Sequence, residues 1–452
     1  MQSAFVIAAP WSGSGKTTVT LGLLSALRAR GLAVQAFKAG PDYIDPAHHA
    51  RVTGRPSVNL DTWMIPRATN RRLFWRAAEG ADVAVVEGVM GLFDGVDGRR
   101  PEGATAHLAR VLGLPVVLVV DARSMARSAA ALVRGFASFP PRVPIVGVIW
   151  NRVGSPSHRR ILDEALADAG LPTSLGALPR SPEVALPERH LGLVTPEDAP
   201  APEGWAEALG RWVEAHVDVD RLLDRTPPPP PRQGAAPRPK RPTRTIAVAR
   251  DAAFCFYYDE NLRILERSGA RIAFFRPLDG DGVPEEADAL YLGGGYPEVH
   301  AERLAANEAF RSGVRAFHAA GKPIYAECGG FMALCDRLRT PEGRTFRMAG
   351  VFAAEARMRQ SRFHLGYREV VVEGVPGLDG LTARGHEFHY SELAAPPAGA
   401  EAVYRVRNAR GEDLGREGYR VGSALAGYIH LHFASCPELP LRWFGLKGRR
   451  GA

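Results

Sequence analysis

The chain has 452 residues, of which 46% are hydrophobic and 23% charged, a balance that builds folded cores and excludes wholesale disorder. At roughly 200 residues per domain, that length suits two cores better than one. The formal charge of +8 would suggest a nucleic-acid partner, but Arg225 to Arg244 holds six basic residues and no acid; setting these aside leaves +2, and no nucleic-acid-reading motif accompanies them.

The opening residues MQSAFVIAAPWSGSGK lead into a glycine loop rather than a signal-peptide cleavage site, and no apolar run approaches the roughly 20 residues of a membrane helix. A cytoplasmic protein without a membrane partner is expected. The four cysteines, Cys255, Cys328, Cys335 and Cys436, form no CxxC pair, so neither a disulfide framework nor a zinc site is suggested.

Along the first half, short apolar runs (AFVIAAP, AVQAFKAG, ADVAVVEG, PVVLVVD, VPIVGVIWN) alternate with helical stretches such as TTVTLGLLSALRARG. This pattern predicts a doubly wound parallel α/β domain over 1–224. After the first strand, Gly13, Ser14, Gly15, Lys16, Thr17 and Thr18 form a phosphate-binding loop that opens a helix. Backbone N–H groups cradle phosphates there, Lys16 reaches the terminal ones, and the Thr17 hydroxyl is placed for Mg²⁺. Pro10 stands where the usual pattern begins with glycine.

FKAGPDYIDPAHH follows the second apolar run and crowds Lys38, Asp42, Asp45 and His48 at a strand end. Turn chemistry explains Gly40, Pro41 and Pro46 but not a lysine beside two carboxylates. Asp45, with Asp42, reads as a Mg²⁺ or substrate carboxylate and Lys38 as a clamp on transferring phosphate. His48 and His49 read equally as surface or site residues. ADVAVVEG ends in Glu87, a further Mg²⁺ ligand candidate, and the following GVMGLFDG brings Asp94 to the same mouth. Asn151 and Arg152 close another strand, where Asn151 is a candidate contact for the adenine base and a plain polar strand end is the alternative.

Residues 225–244 contain five consecutive prolines and read as an extended, basic linker. A second α/β unit then starts over 245–452 with TIAVARD, ARIAFFRP, ADALYLGGG and KPIYAECGG; beyond about Arg344 the helical signal fades into antiparallel-strand patterns such as YREVVVEG and AVYRVRN.

In KPIYAECGGFMALC, Cys328 sits between a strand and a helix with Gly329 and Gly330 permitting a tight turn, and a helix N-terminus would favour its thiolate. The other three cysteines read as small buried hydrophobes. A base is offered by His430 and His432 in GYIHLHFAS, two apart on one face of a strand, and spacing does not choose between them. Gly294 and Gly295 of LGGGYPE, with Gly329, offer backbone N–H groups for a tetrahedral oxyanion.

Together, SGSGKTT, FKAGPDYIDPAHH, NLDTWM, VEGVMGLFDG, LGGGYPE, AECGGFM and YIHLHF resemble, in order and across both halves, the cobyrinate a,c-diamide synthase family of cobalamin biosynthesis. The resemblance implies a dethiobiotin synthetase-like first domain and a triad-type glutamine amidotransferase second domain. It also implies ATP with Mg²⁺, a tetrapyrrole substrate, L-glutamine as nitrogen donor, and phosphorylation of the a and c acetate carboxylates before ammonia displaces phosphate. It assigns the base to His430 and leaves His432 where broader relatives carry glutamate, so the third triad member stays open between His432 and a residue elsewhere; Glu327 fits the family elbow as a structural residue. A homodimer is a candidate assembly. Hydrogenobyrinate and nickel sirohydrochlorin are the rival substrates. A partitioning or sensor ATPase with a degenerate second domain is the rival class, against which stand Trp11 at the position of the leading lysine in such loops and the intact Cys328 and His430.

Overall fold

The computed structural model describes residues 1–140, 142–184, 188–189, 192–193, 202–227, 241–359 and 364–446. The polyproline reading of the linker falls mainly on 228–240, outside the described residues. The chain divides into two compact units, Met1–Ala236 and Pro237–Ala452.

In the first unit, β1 (Ser3–Ala8), β2 (Val34–Ala39), β3 (Val58–Leu60), β4 (Val83–Glu87), β5 (Val116–Asp121), β6 (Ile145–Val153) and β7 (Ser174–Pro179) form one sheet in the order β3-β2-β4-β1-β5-β6-β7. Every pairing in it is parallel. The crossovers carry α1 (Lys16–Ala29), α2 (Ile44–Thr53), α3 (Arg67–Ala77), α4 (Thr105–Leu112), α5 (Ser128–Ser138) and α6 (Pro156–Asp168), followed by α7 (Trp205–His216) and α8 (Val219–Asp224). A two-residue ladder joins β8 (Glu188–Arg189) to β9 (Gly192–Leu193). β1, β2, β4 and β5 are buried at every position, as strands covered on both faces must be. The five apolar runs read from the sequence become β1, β2, β4, β5 and β6; β3 and β7 were not foreseen.

Register builds the site. Glu87, the last residue of β4, pairs with Ile7 of β1 on one side and with Lys38 of β2 on the other. A carboxylate and a lysine therefore emerge side by side at the carboxyl end of the sheet, next to the loop that leaves β1, which is where open α/β sheets gather ligands.

The second unit holds a ten-stranded sheet in the order β11-β10-β12-β13-β22-β21-β20-β17-β18-β23. Its parallel half comprises β10 (Arg244–Ala249), β11 (Ala270–Phe275), β12 (Ala289–Leu292), β13 (Ile324–Glu327) and β22 (Ala424–Gly427). Helices α9 (Asp259–Arg267), α10 (Ala301–Ala306), α11 (Glu308–Ala319) and α12 (Gly329–Leu334) belong to this part. From β22 the ladder turns antiparallel through β21 (Asp413–Val421), β20 (Glu401–Asn408), β17 (His364–Val372), β18 (Thr382–His389) and β23 (His430–Leu431). Only Tyr428 and Ile429 separate β22 from β23, so the two strands that bound this half of the ladder are adjacent in the chain. A smaller sheet runs β15 (Thr345–Arg347), β14 (Cys335–Arg339), β16 (Phe352–Met358), β19 (Ser391–Leu393). As the sequence indicated, the segment beyond Arg344 is strand-rich; among the described residues only the six-residue α13 (Glu438–Trp443) follows it as an α-helix.

Each unit has its own core. Phe5, Ile7, Leu23, Leu24 and Leu209 centre the first, and Phe254, Phe310, Phe331 and Phe352 the second. Among the described residues, no helix is long and apolar enough to cross a membrane.

Candidate active site

The loop after β1 turns on Gly13 and Gly15, whose φ angles of 80° and 93° are left-handed values that glycine adopts without strain. At Gly15 a side chain is also excluded by contact: a Cβ there would stand 2.1 Å from Asn151 Nδ2. Asn151 Nδ2 donates to Ser14 O at 2.9 Å and Ser14 Oγ to Trp11 O at 2.9 Å, so the Asn151 amide braces the loop. Lys16 Nζ donates to Met90 O at 2.6 Å and to Trp11 O at 3.4 Å. Burial, and then the nearby Lys38 charge, pull the Lys16 ammonium down to about 8. Thr17 Oγ1 donates to Glu87 Oε1 at 2.7 Å and reaches Asp45 Oδ2 at 3.4 Å. Thr18 follows, half-buried, in the first turn of α1.

Lys38 is the centre of this site. Its buried ammonium donates to Asp45, to Glu87 Oε1 at 2.9 Å and to Gly88 O at 3.2 Å, with Asp42 Oδ2 at 3.8 Å. Burial works against the charge, but the Asp45, Glu87 and Asp42 carboxylates outweigh it and hold the proton firmly. Asp42 Oδ1 accepts the N–H groups of Ile44 at 2.8 Å and Asp45 at 3.1 Å, which ties the start of α2 to the loop. The two buried carboxylates part in behaviour. Burial and its acidic neighbours Asp42 and Glu87 push Asp45 well above the usual range. Glu87 stays below it despite burial, because Lys38 and the hydrogen bonds from His49 and Thr17 favour its charge.

His48 and His49 are buried, and His49 is a site residue rather than a surface one: its Nε2 lies 2.7 Å from Glu87 Oε2 and its Nδ1 3.1 Å from Ser57 Oγ. The signal was its position four residues after Asp45, on the same face of α2. Asp94 is exposed, and its Oδ2 accepts the Gly91 N–H at 3.0 Å within its own loop; its charge helps to hold the Lys16 proton. Sequence reasoning missed Asp121. That residue pairs with Arg123 at 2.8 Å and with Arg152 at 2.6 Å, and Arg152 in turn donates to Gly13 O at 2.9 Å from a left-handed φ of 59°.

In the second unit, Cys328 joins β13 to α12 with φ 48° and ψ −105°. Such a conformation costs a non-glycine residue about 1–3 kcal/mol, and it is pinned by the Cys328 N–H donating to Gly427 O at 2.7 Å. A Cβ on Gly329 would lie 2.9 Å from Gly295 N, and one on Gly330 2.3 Å from Leu292 O; the elbow is glycine because the loop after β12 packs on it. The same loop meets the histidine, since a Cβ on Gly294 would stand 2.4 Å from His430 Cε1. Gly294 and Gly295 therefore lie between the elbow and His430, and the structure gathers Cys328, Gly329, Gly294, Gly295 and His430 in one place.

The expected thiolate does not hold for the resting protein. Burial pushes the Cys328 thiol well up, Glu298 adds to this, and the Gly329 N–H only partly offsets it. His430, 1% exposed, is pulled down to about 3 by burial, with His389 adding to the effect. Burial thus favours the neutral form of both the thiol and the imidazole.

His432 points elsewhere. Its ring packs on Tyr258 at 4.6 Å between centroids, its Nδ1 accepts the Ala434 N–H at 3.3 Å, and burial lowers it to about 4. The carboxylate that faces His430 is Glu327, whose Oε2 is 4.0 Å from His430 Nδ1. His364, Glu387 and His389 also bring potential ligand atoms within 4.8 Å of one another, but Arg368 binds Glu387 at 2.9 Å and balances its charge without a cation. Cys335 is buried, whereas Cys255 and Cys436 are only half-buried.

Comparison with known proteins gives two family matches: the CobQ/CobB/MinD/ParA nucleotide binding domain over residues 5–194, and the CobB/CobQ-like glutamine amidotransferase domain over residues 245–437. Among full-length relatives, the cobyrinate a,c-diamide synthase of Syntrophotalea carbinolica is 46% identical, with 96% of each chain covered. That of Priestia megaterium is 42% identical, covering 97% of this chain and 95% of the relative. The hydrogenobyrinate a,c-diamide synthase of Brucella suis is 46% identical, covering 94% of this chain and 98% of the relative.

Proposed function

The chain belongs to the family of cobyrinate and hydrogenobyrinate a,c-diamide synthases, and from that premise we propose that it converts the a and c acetate carboxylates of cobyrinate to amides using ATP and L-glutamine. The observation that carries this reading is the Cys328 elbow packed through Gly294 and Gly295 onto His430, in a chain that also carries a phosphate loop beside Lys38, Asp45 and Glu87. We assign the synthetase role to 1–224, the glutaminase role to 245–452, and the segment between them to a linker.

In the first unit, the loop amides from Gly13 to Thr18 hold the phosphates of ATP, with Lys16 on the terminal ones. The substrate carboxylate attacks the γ-phosphorus, the bond to the β-phosphate oxygen breaks, and ADP leaves; the acyl phosphate so formed has a leaving group that a free carboxylate lacks. The carboxylates of Asp42, Asp45 and Glu87 and the Thr17 hydroxyl form an all-oxygen donor set, and a divalent cation there would relieve the repulsion that raises Asp45, so the set fits Mg²⁺. Thr17, Asp45 and Glu87 would hold the ion, which when bound neutralises charge on the phosphate oxygens. Lys38 steadies the transferring phosphoryl group, and His49 fixes the direction of the Glu87 carboxylate.

In the second unit, His430 takes the Cys328 proton as sulfur attacks the side-chain carbonyl of glutamine. The amide N–H groups of Gly294, Gly295 and Gly329 stand ready for the oxyanion. The C–N bond breaks, ammonia departs with the proton from His430, and water releases glutamate from the thioester. Ammonia then displaces phosphate from the acyl phosphate.

Mass spectrometry after incubation with ATP, Mg²⁺ and glutamine tests this, with cobyrinate, hydrogenobyrinate or nickel sirohydrochlorin as separate substrates. Two carboxylate-to-amide conversions on cobyrinate are expected. Conversion of hydrogenobyrinate alone would move the assignment to the substrate in the Brucella suis relative's name, and amidation of none of the three would discard the tetrapyrrole assignment.

A further inference from the structure

We infer that Glu327, the residue immediately before the nucleophile, is the acceptor that orients His430 and completes the glutaminase triad as a positioning residue. The inference rests on the glutaminase reading and adds to it the member that the sequence left open. Glu327 ends β13, where its register partner is Gly427 of β22. Cys328 follows the end of β13 directly, and His430, the first residue of β23, follows the end of β22 by three residues. One buried carboxylate thus stands at the root of both the nucleophile and the base.

The carboxylate is held in place. Oε1 accepts Tyr325 OH at 2.8 Å and the Leu431 N–H at 2.9 Å, and Oε2 accepts Tyr291 OH at 3.0 Å. Leu431 is the neighbour of His430, so the strand that carries the base is itself bonded to Glu327. Oε2 then faces His430 Nδ1 at 4.0 Å, a separation that must close by roughly 1 Å to make a hydrogen bond; catalytic contacts commonly lie long before substrate arrives.

His386 and His432 are poorly placed for this task. His386 lies against the His430 ring with centroids 5.1 Å apart and planes at 21°, and its own Nδ1 is 2.8 Å from Tyr258 OH. A stacked ring offers its face, whereas an acceptor for Nδ1–H must approach in the imidazole plane. His432 is turned onto Tyr258. Chemically, an acidic acceptor on Nδ1 leaves Nε2 bare to receive the thiol proton, and it compensates the imidazolium that this transfer creates in a buried site.

The test is ¹⁵N NMR of the full chain, with the His430 signals identified by their loss in His430→Gln, combined with glutaminase kinetics. The wild-type protein is expected to carry the His430 proton on Nδ1. Glu327→Gln, which keeps the shape of the side chain, is expected to shift that tautomer and to lower glutaminase kcat about a hundredfold or more, with the KM for glutamine within about twofold. Ammonium-driven synthesis, which bypasses this site, serves as the folding control. A wild-type His430 with its proton on Nε2 would overturn the inference even if Glu327→Gln failed to fold, and so would a folded Glu327→Gln with wild-type kcat. Failure of the glutaminase reading itself is separable, because Cys328→Ala would then still hydrolyse glutamine.

Discussion

Replacing Gly294 with alanine should disable glutamine use while sparing the nucleotide chemistry. The new methyl carbon would stand 2.4 Å from His430 Cε1, whereas carbon atoms rest at about 3.5–4.0 Å, so ring and loop must part by roughly 1 Å. The ring has little room, being 1% exposed with His386 stacked against it. Gly294 does not have a left-handed φ, so the effect comes from contact rather than backbone strain. A displacement of this size in a catalytic group costs about a hundredfold in rate, or about 2.7 kcal/mol of transition-state stabilisation. Glutaminase kcat/KM is the assay, with ammonium-driven amidation measured on the same preparation. A Gly294→Ala enzyme within twofold of wild type with glutamine would refute the placement of His430 against this loop as the working base.

Cys328→Ala should abolish glutamine-dependent synthesis yet retain synthesis with added ammonium; turnover with glutamine would remove Cys328 from the mechanism. Lys16→Ala should lose synthesis with either nitrogen source, and full activity in that variant would show that the loop is not catalytic. Because burial holds Lys16 at about 8 in the nucleotide-free protein, it sheds its proton as pH rises through that value, so nucleotide affinity should weaken between pH 7 and 9, a limb that Lys16→Met should lack in equilibrium binding titrations. Acid should destabilise the second unit. His430 and His432 sit at about 3 and 4, below the ordinary histidine value, so between those values and about 6.5 the unfolded chain binds more protons than the folded one. Their contribution is intact above pH 6.5 and declines as pH falls, by up to about 1.4 kcal/mol per pH unit for each histidine; chemical denaturation followed from pH 7 to 4.5 should show this slope, and a flat profile would place them in a wetter environment.

The sequence made the architecture readable where periodicity was strong. Continuous apolar runs gave β1, β2, β4, β5 and β6, and alternation gave the antiparallel half of the second unit. β3, three residues long, and β7, with glycine, alanine and proline among its six, carry too little pattern to stand out. At the sites, short motifs named the candidate phosphate and thiol groups but not the residues that brace them. Lys38 and Glu87 looked like neighbours only as strand-end residues; register turned them into a pair. His49 was left open because a histidine doublet carries no directional signal until α2 fixes which face each ring takes. The helix N-terminus that favours a Cys328 thiolate is opposed by burial, which raises the thiol and which the motif alone did not reveal. Glu327 read as a structural residue of the elbow; that it also faces His430 depends on β13 and β22 lying together, a pairing between residues about a hundred positions apart.

The two sites use burial in opposite ways, and this follows from the chemistry each is proposed to perform. Around Lys38 the central charges exist before substrate arrives: burial is outweighed at the Lys38 ammonium and at Glu87, which Lys38, His49 and Thr17 hold ionised. Phosphoryl transfer needs that fixed field, since its catalysis is mainly positioning and electrostatic stabilisation. Around Cys328 the charges are suppressed, with the thiol raised and the imidazole lowered by the same desolvation. A resting thiolate and imidazolium pair is therefore disfavoured from both sides, and the arrangement predicts proton transfer that accompanies attack on the glutamine carbonyl. On the proposed roles, the oxyanion would form beside the Gly294 and Gly295 loop and the imidazolium on the side of His430 that faces Glu327, across a gap of 4.0 Å that must narrow as the charge develops. If glutamine were replaced by a small thiol-alkylating reagent that generates no oxyanion, this arrangement predicts slow modification of Cys328 near neutral pH, rising with pH into the alkaline range; rapid alkylation at pH 7 would show that the thiolate is present at rest.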